Sequence, residues 1–307
     1  MENKLLAEAK ILVVGDAMID RYWFGSATRI SPEAPIPVVK IHEQEDRLGG
    51  AANVARNISS LGGRVSLLST IGDDQTGDEL EKLLVQSKIT PFLCRISNLS
   101  TTVKIRIVAQ TQQVLRTDFE TSINDRALDN FEVAFNKILS GHQLVVFSDY
   151  GKGSLKRINR MIKIAKSKGK TILIDPKGDD YTKYAGADVI TPNRAELSQV
   201  IGRWKTEEEL DNKAQALRKR LGLRKLLLTR SEEGMTFFDE NGACTIPAHA
   251  KEVFDVSGAG DTVIAVLAFL LANGYGWREA VELANKAGGI VVGKLGTSII
   301  SPSELFS

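Results

Sequence analysis

Leu144-Val145-Val146-Phe147-Ser148-Asp149, Thr171-Ile172-Leu173-Ile174-Asp175, Val189-Ile190-Thr191 and Leu226-Leu227-Leu228-Thr229 recur along the middle of the chain. Each is a short apolar run that ends in a polar residue. Such runs read as strands buried on both faces, the mark of a parallel sheet. Between them the apolar spacing becomes helical and predicts helices at 128–140, 154–168, 194–201 and 206–220. This alternation predicts an α/β fold: a doubly wound, mostly parallel sheet with helices on both faces. The polar strand ends at Asp16, Asp149, Asp175-Pro176-Lys177, Thr191-Pro192-Asn193 and Thr229-Arg230 then converge on one edge. Ligands of open α/β sheets bind at that edge.

Outward from this region, Ile11-Leu12-Val13-Val14 and Val65 to Ile71 read as further strands. Gly49-Gly50-Ala51-Ala52-Asn53 opens a helix ended by Gly62-Gly63, and Thr76 to Ser87 is amphipathic. Two stretches break the pattern. Residues near 36–48 follow a proline-rich segment and read as extended. Residues near 102–119 alternate as an antiparallel strand with one wet face, with Gln112-Gln113 as a turn. They are expected to form one small sheet projecting from the main body, from segments of about 22–48 and 98–120. Residues 1–307 are otherwise read as one domain.

Composition excludes several classes. The 307 residues are 43% hydrophobic and 25% charged, with 40 basic against 38 acidic residues, a net charge of +2. That balance gives no nucleic-acid surface and no membrane tether, so a polar substrate must be held by local charges. Cys94 and Cys244 form neither a CxxC pair nor a metal spacing, which fits a reducing cytoplasm. His42, His142 and His249 lack partners at metal-ligand spacing. Met1-Glu2-Asn3-Lys4 is polar, unlike a signal peptide. No GxGxxG follows the first strand, which argues against a dinucleotide oxidoreductase.

Asp255-Val256-Ser257-Gly258-Ala259-Gly260-Asp261-Thr262 runs directly into an apolar helix, Val263 to Leu271. Gly258, Ala259 and Gly260 leave backbone N–H groups uncovered at a helix N-terminus, a ready anion site. Asp261 stands at its mouth, placed to take a proton from an attacking hydroxyl. Bare donors and one acid suit phosphoryl transfer to an alcohol. The same pattern is also an acidic helix cap beside a glycine turn.

Other residues carry chemistry with a plainer reading beside it. Asp16 and Asp20 suit sugar hydroxyls, or a solvated loop. Gly49, Gly50 and Asn53 suit a polyol, or a turn into a helix. Asn193 and Glu196 share a helical face; Glu196 suits a magnesium ion held through water, or the pair is a capping box. Thr229, Arg230 and Gly234 suit a nucleotide phosphate, or a polar turn. Asn285 lies among small residues that suit a purine, or close helix packing.

The ordered set resembles the ribokinase-like (PfkB) carbohydrate kinases over essentially the whole chain. Their N-terminal signature matches Gly49 to Ala55, their C-terminal signature Asp255 to Asp261, and their Asn-x-x-Glu motif Asn193 to Glu196. The resemblance implies Asp261 as general base, 258–260 as anion hole, ATP and magnesium as cofactors, and the projecting sheet as a lid that often makes a homodimer. A monovalent cation at Asp255 and the carbonyls near 291–300 follows from the same likeness.

Gly15 to Trp23, Arg29 to Pro35, Ser148 to Gly153, Asp175 to Gly178 and Val292 to Ser298 look more narrowly like the heptose kinases of ADP-heptose synthesis. That likeness implies D-glycero-β-D-manno-heptose 7-phosphate as acceptor and a place in lipopolysaccharide inner-core synthesis. The chain stops at Ser307 without an HxGH-type motif, so a stand-alone kinase or a kinase half is expected. A phosphorylated acceptor needs cations; Lys104, Arg106, Arg116 and Lys177 are the candidates, or a charged lid face. Another sugar or nucleoside acceptor, and a nucleotide-sensing protein without turnover, are the competing functions.

Overall fold

The structure, a computed structural model, describes residues 9–110, 112–123, 125–248 and 253–307. His249 and the Met1–Lys4 stretch lie outside the described residues. The chain enters as β1 (Lys10–Gly15). It continues past Asp16 as two long strands, β2 (Ala17–Ile30) and β3 (Pro37–Gly50), joined across the proline-rich stretch. Then come α1 (Ala51–Ser60), β4 (Arg64–Gly72), α2 (Gln75–Gln86) and β5 (Thr90–Ile96). A second excursion, β6 (Val103–Ala109) and β7 (Gln112–Phe119), precedes α3 (Asp125–Ile138). The regular part follows: β8 (Leu144–Ser148), α4 (Ile158–Ser167), β9 (Thr171–Asp175), β10 (Val189–Ile190), α5 (Arg194–Ile201), α6 (Glu207–Leu221) and β11 (Lys225–Thr229). The chain closes with β12 (Met235–Asp239), β13 (Gly242–Ile246), α7 (Ala259–Ala272), α8 (Trp277–Val291) and α9 (Pro302–Phe306).

Among the described residues the main sheet has nine strands in the order β13-β12-β11-β10-β9-β8-β1-β4-β5. Its pairs are parallel from β11 to β5, with antiparallel pairs at the β12–β13 edge. Successive side chains of β1 enter opposite cores. Ile11 and Val13 pack with Val54 and Ile58 of α1, Leu267 of α7 and Val281 of α8. Leu12 and Val14 pack with Phe131, Phe135, Phe147 and Met161. Both faces are covered, which is why these strands read as unbroken apolar runs. Every residue of α7 from Asp261 to Leu270 is buried, so the acid at its start is carried into the interior by an apolar helix.

The second sheet is ordered β3-β2-β6-β7. It departs from expectation in two ways. β6 lies parallel to β2 and only its pairing with β7 is antiparallel. Gln112 and Gln113 open β7, paired with Ala109 and Val108, and the turn sits at Gln110. Two helices are also displaced: α3 begins at Asp125, and α4 only at Ile158. The second displacement has a cause, because residues 150–154 are drawn into a loop around Asp16. Among the described residues no helix is long and apolar enough to cross a membrane.

Candidate active site

Asp261 sits in the first turn of α7 with 3% of its surface exposed. Its Oδ2 accepts from the Nδ2 of Asn53 at 2.8 Å, and its Oδ1 from the hydroxyl of Tyr150 at 2.6 Å. Burial pushes the carboxyl up to about 6, against the lowering effect of those two hydrogen bonds, and the charge of Asp20 adds to the rise. A general base works best with a pKa near its operating pH. Gly258, the α7 N-cap, has φ +76°, and a Cβ there would stand 2.8 Å from Asn53 Nδ2. A side chain would therefore strain the turn and push the Asn53 amide off Asp261.

Tyr150 is a site residue that the sequence reading left inside a motif. Its own N–H, with those of Lys152 and Ser154, is accepted by Asp16. Asp16 is thus committed to holding the 150–154 loop, a correction to its expected role as an acceptor for sugar hydroxyls. It is 3% exposed, and its carboxylate satisfies loop backbone that would otherwise be buried unpaired. Burial, then the charges of Asp261 and Asp175, push the Tyr150 phenol well above its ordinary value, so it stays a donor.

Gly258, Gly260 and Asp261 line a cavity of about 160 Å³ with Tyr150, Asp175, Lys177, Thr191, Asn193, Glu196 and Thr229. Gly258 supplies no side-chain cap, a Cβ on Gly260 would meet open space, and both glycines line this cavity, whereas the Ala259 N–H donates to the Val256 carbonyl, which removes Ala259 from the expected set of bare donors. Asn193 and Glu196 form a complete capping box on α5. The plainer reading therefore holds, yet Glu196 also lines the cavity and its Oε1 lies 3.1 Å from Lys177 Nζ. Lys177, expected at a sheet edge as a candidate for the acceptor's phosphate, lies at that edge on this cavity, beside Glu196. Asp175, partly buried at the end of β9, is a further acid here. Burial raises its carboxyl well above the usual range, and the charges of Asp261 and Glu196 add to that while Lys177 opposes it.

Magnesium fits this donor set. Among the described residues no group of three His, Cys, Asp or Glu side chains could cage an ion. Magnesium keeps several waters and binds through few carboxylates plus substrate phosphates, which suits Glu196 acting through water on the cavity that Gly258 and Gly260 also line.

One face of the second sheet carries the lid charges. Asp20 pairs across strands with Arg47 and Lys104, and Tyr22 with Glu45 and Arg106; Lys104 and Arg106 pair in turn with Asp118 and Arg116. Because side chains alternate along a strand, all of these share a face. Arg106 is ion-paired with Asp20, while Lys104 and Arg116 share Asp118. Arg47, absent from the sequence candidates, lies over the Tyr22 ring at 4.6 Å and donates to the Leu295 carbonyl at 2.9 Å. Its place opposite Asp20 in β3 was the available signal. Gly49, the last residue but one of β3, lies against Asp20, where a Cβ would stand 2.5 Å from Oδ2. Gly50 is the N-cap of α1. Asp255 accepts from the N–H groups of Ser257 and Gly296, which fastens the 292–297 segment beside α7.

Two nucleotide candidates turn out to be structural. Arg230 is buried, and its guanidinium donates to Glu207, Glu233 and Thr236. It is therefore not free for a phosphate; Gly234 closes the turn behind it, donating to Ser231. Asn285 is 4% exposed and spends its Nδ2 on the Pro247 carbonyl at 2.7 Å. The small residues around it serve helix packing, since a Cβ on Gly288 would press on Val263 of α7 at 3.2 Å. Thr229 remains on the cavity wall.

A buried carboxylate beside an uncapped helix start, with a charged lid sheet nearby, suits phosphoryl transfer to an alcohol. The chain belongs to the pfkB family of carbohydrate kinases, whose pattern matches residues 8–304, and is an ATP-dependent enzyme of that family. It is 50% identical over 300 residues to the D-beta-D-heptose 7-phosphate kinase of Bordetella bronchiseptica, covering 98% of this chain and 96% of that protein. It is 46% identical over 308 residues to the bifunctional protein HldE of Chromohalobacter salexigens, covering 100% of this chain and 65% of that protein. The HldE of Haemophilus influenzae is 48% identical over 299 residues, 97% of this chain and 63% of that protein. The chain thus spans about two thirds of these bifunctional relatives.

Solved structures agree on the fold. Phosphofructokinase-2 from Escherichia coli in complex with potassium superposes with a TM-score of 0.84 at 19% identity, covering 98% of this chain and 97% of that one. Ribokinase from Thermotoga maritima gives 0.77 at 22% identity, with 97% and 98% covered. The fold is ribokinase-like, with a mostly parallel central sheet and a smaller sheet as lid.

Proposed function

We propose that this chain transfers the γ-phosphate of ATP to the anomeric O1 of D-glycero-β-D-manno-heptose 7-phosphate. The product is the 1,7-bisphosphate, which feeds ADP-heptose and lipopolysaccharide inner-core synthesis. The carrying observation is Asp261 held between Asn53 and Tyr150 beside the uncapped start of α7. The 50% identity to a heptose 7-phosphate kinase supports the acceptor.

The chemistry follows from these placements. Asp261 takes the proton of the O1 hydroxyl as that oxygen bonds to the γ-phosphorus, and the bond to the ADP oxygen breaks. The N–H groups of Gly258 and Gly260, at the start of α7, receive the developing negative charge. Glu196 would hold magnesium through water, and the ion would supply charge neutralisation at the phosphates. Lys177 steadies the nucleotide phosphates. Lys104, Arg106, Arg116 and Arg47 present cations to the distal phosphate of the acceptor, and lid closure excludes water as a competing acceptor.

Residues 1–307 act as one kinase domain in this reading, working in the cytoplasm. Exposed Ile30, Ile36, Leu115 and Phe119 on the lid strands and their connection give a homodimer its contact. Asp255 and the neighbouring 292–297 carbonyls take a monovalent cation. The reading is tested by ADP release with magnesium-ATP against heptose 7-phosphate, unphosphorylated heptose, fructose 6-phosphate, ribose and adenosine. Turnover confined to the first supports it. Turnover on another member discards the acceptor, and silence with ATP bound favours a nucleotide-sensing role.

A further inference from the structure

We propose that Tyr150 is a positioning residue of the transfer reaction: its hydroxyl clamps one oxygen of Asp261 so that a free lone pair of that carboxylate is aimed at the acceptor. This rests on Asp261 being the base.

A carboxylate offers about four lone-pair sites on two oxygens. In Asp261 one site on Oδ1 is filled by Tyr150 at 2.6 Å and one on Oδ2 by Asn53 at 2.8 Å. With both oxygens tied, the group cannot rotate about its last bond, and its open sites have fixed directions. Both Tyr150 and Asp261 line the same cavity as Gly258 and Gly260, so those directions open where the transferring phosphate is received.

The clamp is itself built. The Tyr150 backbone is fastened to Asp16 at 3.1 Å, and the same carboxylate holds Lys152 and Ser154. Asp16 follows β1, an interior strand of the main sheet, so the loop has a rigid anchor. On its other side, Lys152 pairs with Glu120 just past lid strand β7. The hydroxyl of Tyr150 cannot replace Asp261 as base, because it is buried among acids and keeps its proton.

The charged and titratable groups facing Asp261 are Asp20 from β2, Tyr150 from the loop after β8 and Asp175 from β9; Asn53 of α1 is neutral. Of these, Tyr150 donates directly. Removing that donor leaves the carboxylate less stabilised, so its pKa must rise.

The test is the pH profile of kcat, with magnesium-ATP and heptose 7-phosphate, for the wild type and Tyr150→Phe, which removes one oxygen atom. The acidic limb is expected to move up by about one pH unit. On the plateau, kcat falls by ~10-fold or more while KM for ATP holds within ~2-fold. A fluorinated tyrosine at position 150 donates more strongly and moves the limb down, which covers a Phe variant that fails to fold. An unmoved limb overturns the proposal, as does a loss shared by kcat and KM without a limb shift.

Infrared titration of the Asp261 carboxylate, read as the difference from Asp261→Asn, follows the same shift without any acceptor. A carboxylate shift in Tyr150→Phe together with silence on heptose 7-phosphate keeps the clamp and overturns the acceptor. Full turnover by Asp261→Asn overturns the base, and with it the clamp.

Discussion

Asn53 and Asp261, 208 positions apart in the chain, meet through a single hydrogen bond of 2.8 Å in the buried interior. The two sequence signatures of the family are thereby one structural object: the start of α1 holds the acid at the start of α7. Asn53 is itself pinned, since Asn57 Nδ2 reaches its carbonyl at 3.0 Å and its Oδ1 at 3.3 Å. Asn53→Ala is expected to lower kcat by ~10- to 100-fold, because a hydrogen bond to a charged group is lost. Steady-state kinetics will show it, with KM for ATP little changed.

The pH dependence follows in sign from the burial of Asp261. Burial pushes its carboxyl up to about 6, and only the deprotonated form accepts the O1 proton. Activity is therefore full above that value and falls on acidification through it, about tenfold per pH unit once the acid form dominates. A kcat profile with its acidic limb near the ordinary carboxylate value of about 4 would mean that Asp261 is not the titrating base.

Lid cations divide into those already paired and those with room. Arg106 is tied to Asp20, and its loss leaves a buried carboxylate alone. Lys104 and Arg116 share a single acid, Asp118, so their positive charge exceeds what the lid neutralises. Lys104→Ala and Arg116→Ala should each raise KM for the phosphorylated acceptor by ~10-fold or more, the scale of a lost charge-assisted contact. Competition with free phosphate and with the unphosphorylated sugar separates charge from shape: only the phosphorylated acceptor should lose affinity.

Lys177 and Arg230 are predicted to behave oppositely. Lys177, on the cavity beside Glu196, should raise KM for ATP when replaced by Ala and leave the acceptor KM alone. Arg230→Ala should leave both KM values unchanged. It removes the contacts to Glu207, Glu233 and Thr236 and is expected to cost ~1 kcal/mol in urea unfolding, because the two acids are exposed.

The main sheet was legible because both of its faces are covered: Ile11 and Leu12 enter different cores, so the strand has to be apolar throughout. That Gly258, Gly260 and Asp261 share one cavity was legible because they lie within four residues of the chain. Contacts between distant segments were not. Tyr150 looks like any loop tyrosine until the Asp16 loop swings it onto Asp261. Arg47 acquires meaning only from its register opposite Asp20, and β6 pairs parallel with β2 although its alternation is that of any half-buried strand. Arg230 was misjudged because its ion-pair partner Glu207 lies 23 residues away. Glu196 shows that a cap and a site residue are not exclusive, since one side chain does both.

The most direct measurement follows phosphoryl transfer by phosphorus NMR, with magnesium-ATP and heptose 7-phosphate, in the wild type and in Asp261→Asn. A new phosphate signal on the anomeric oxygen is predicted for the wild type. Asp261→Asn should bind ATP normally and lose about 10²–10⁴-fold in kcat, the usual contribution of a positioned base. Near-normal transfer by Asp261→Asn, or a phosphate delivered elsewhere on the sugar, would contradict the account.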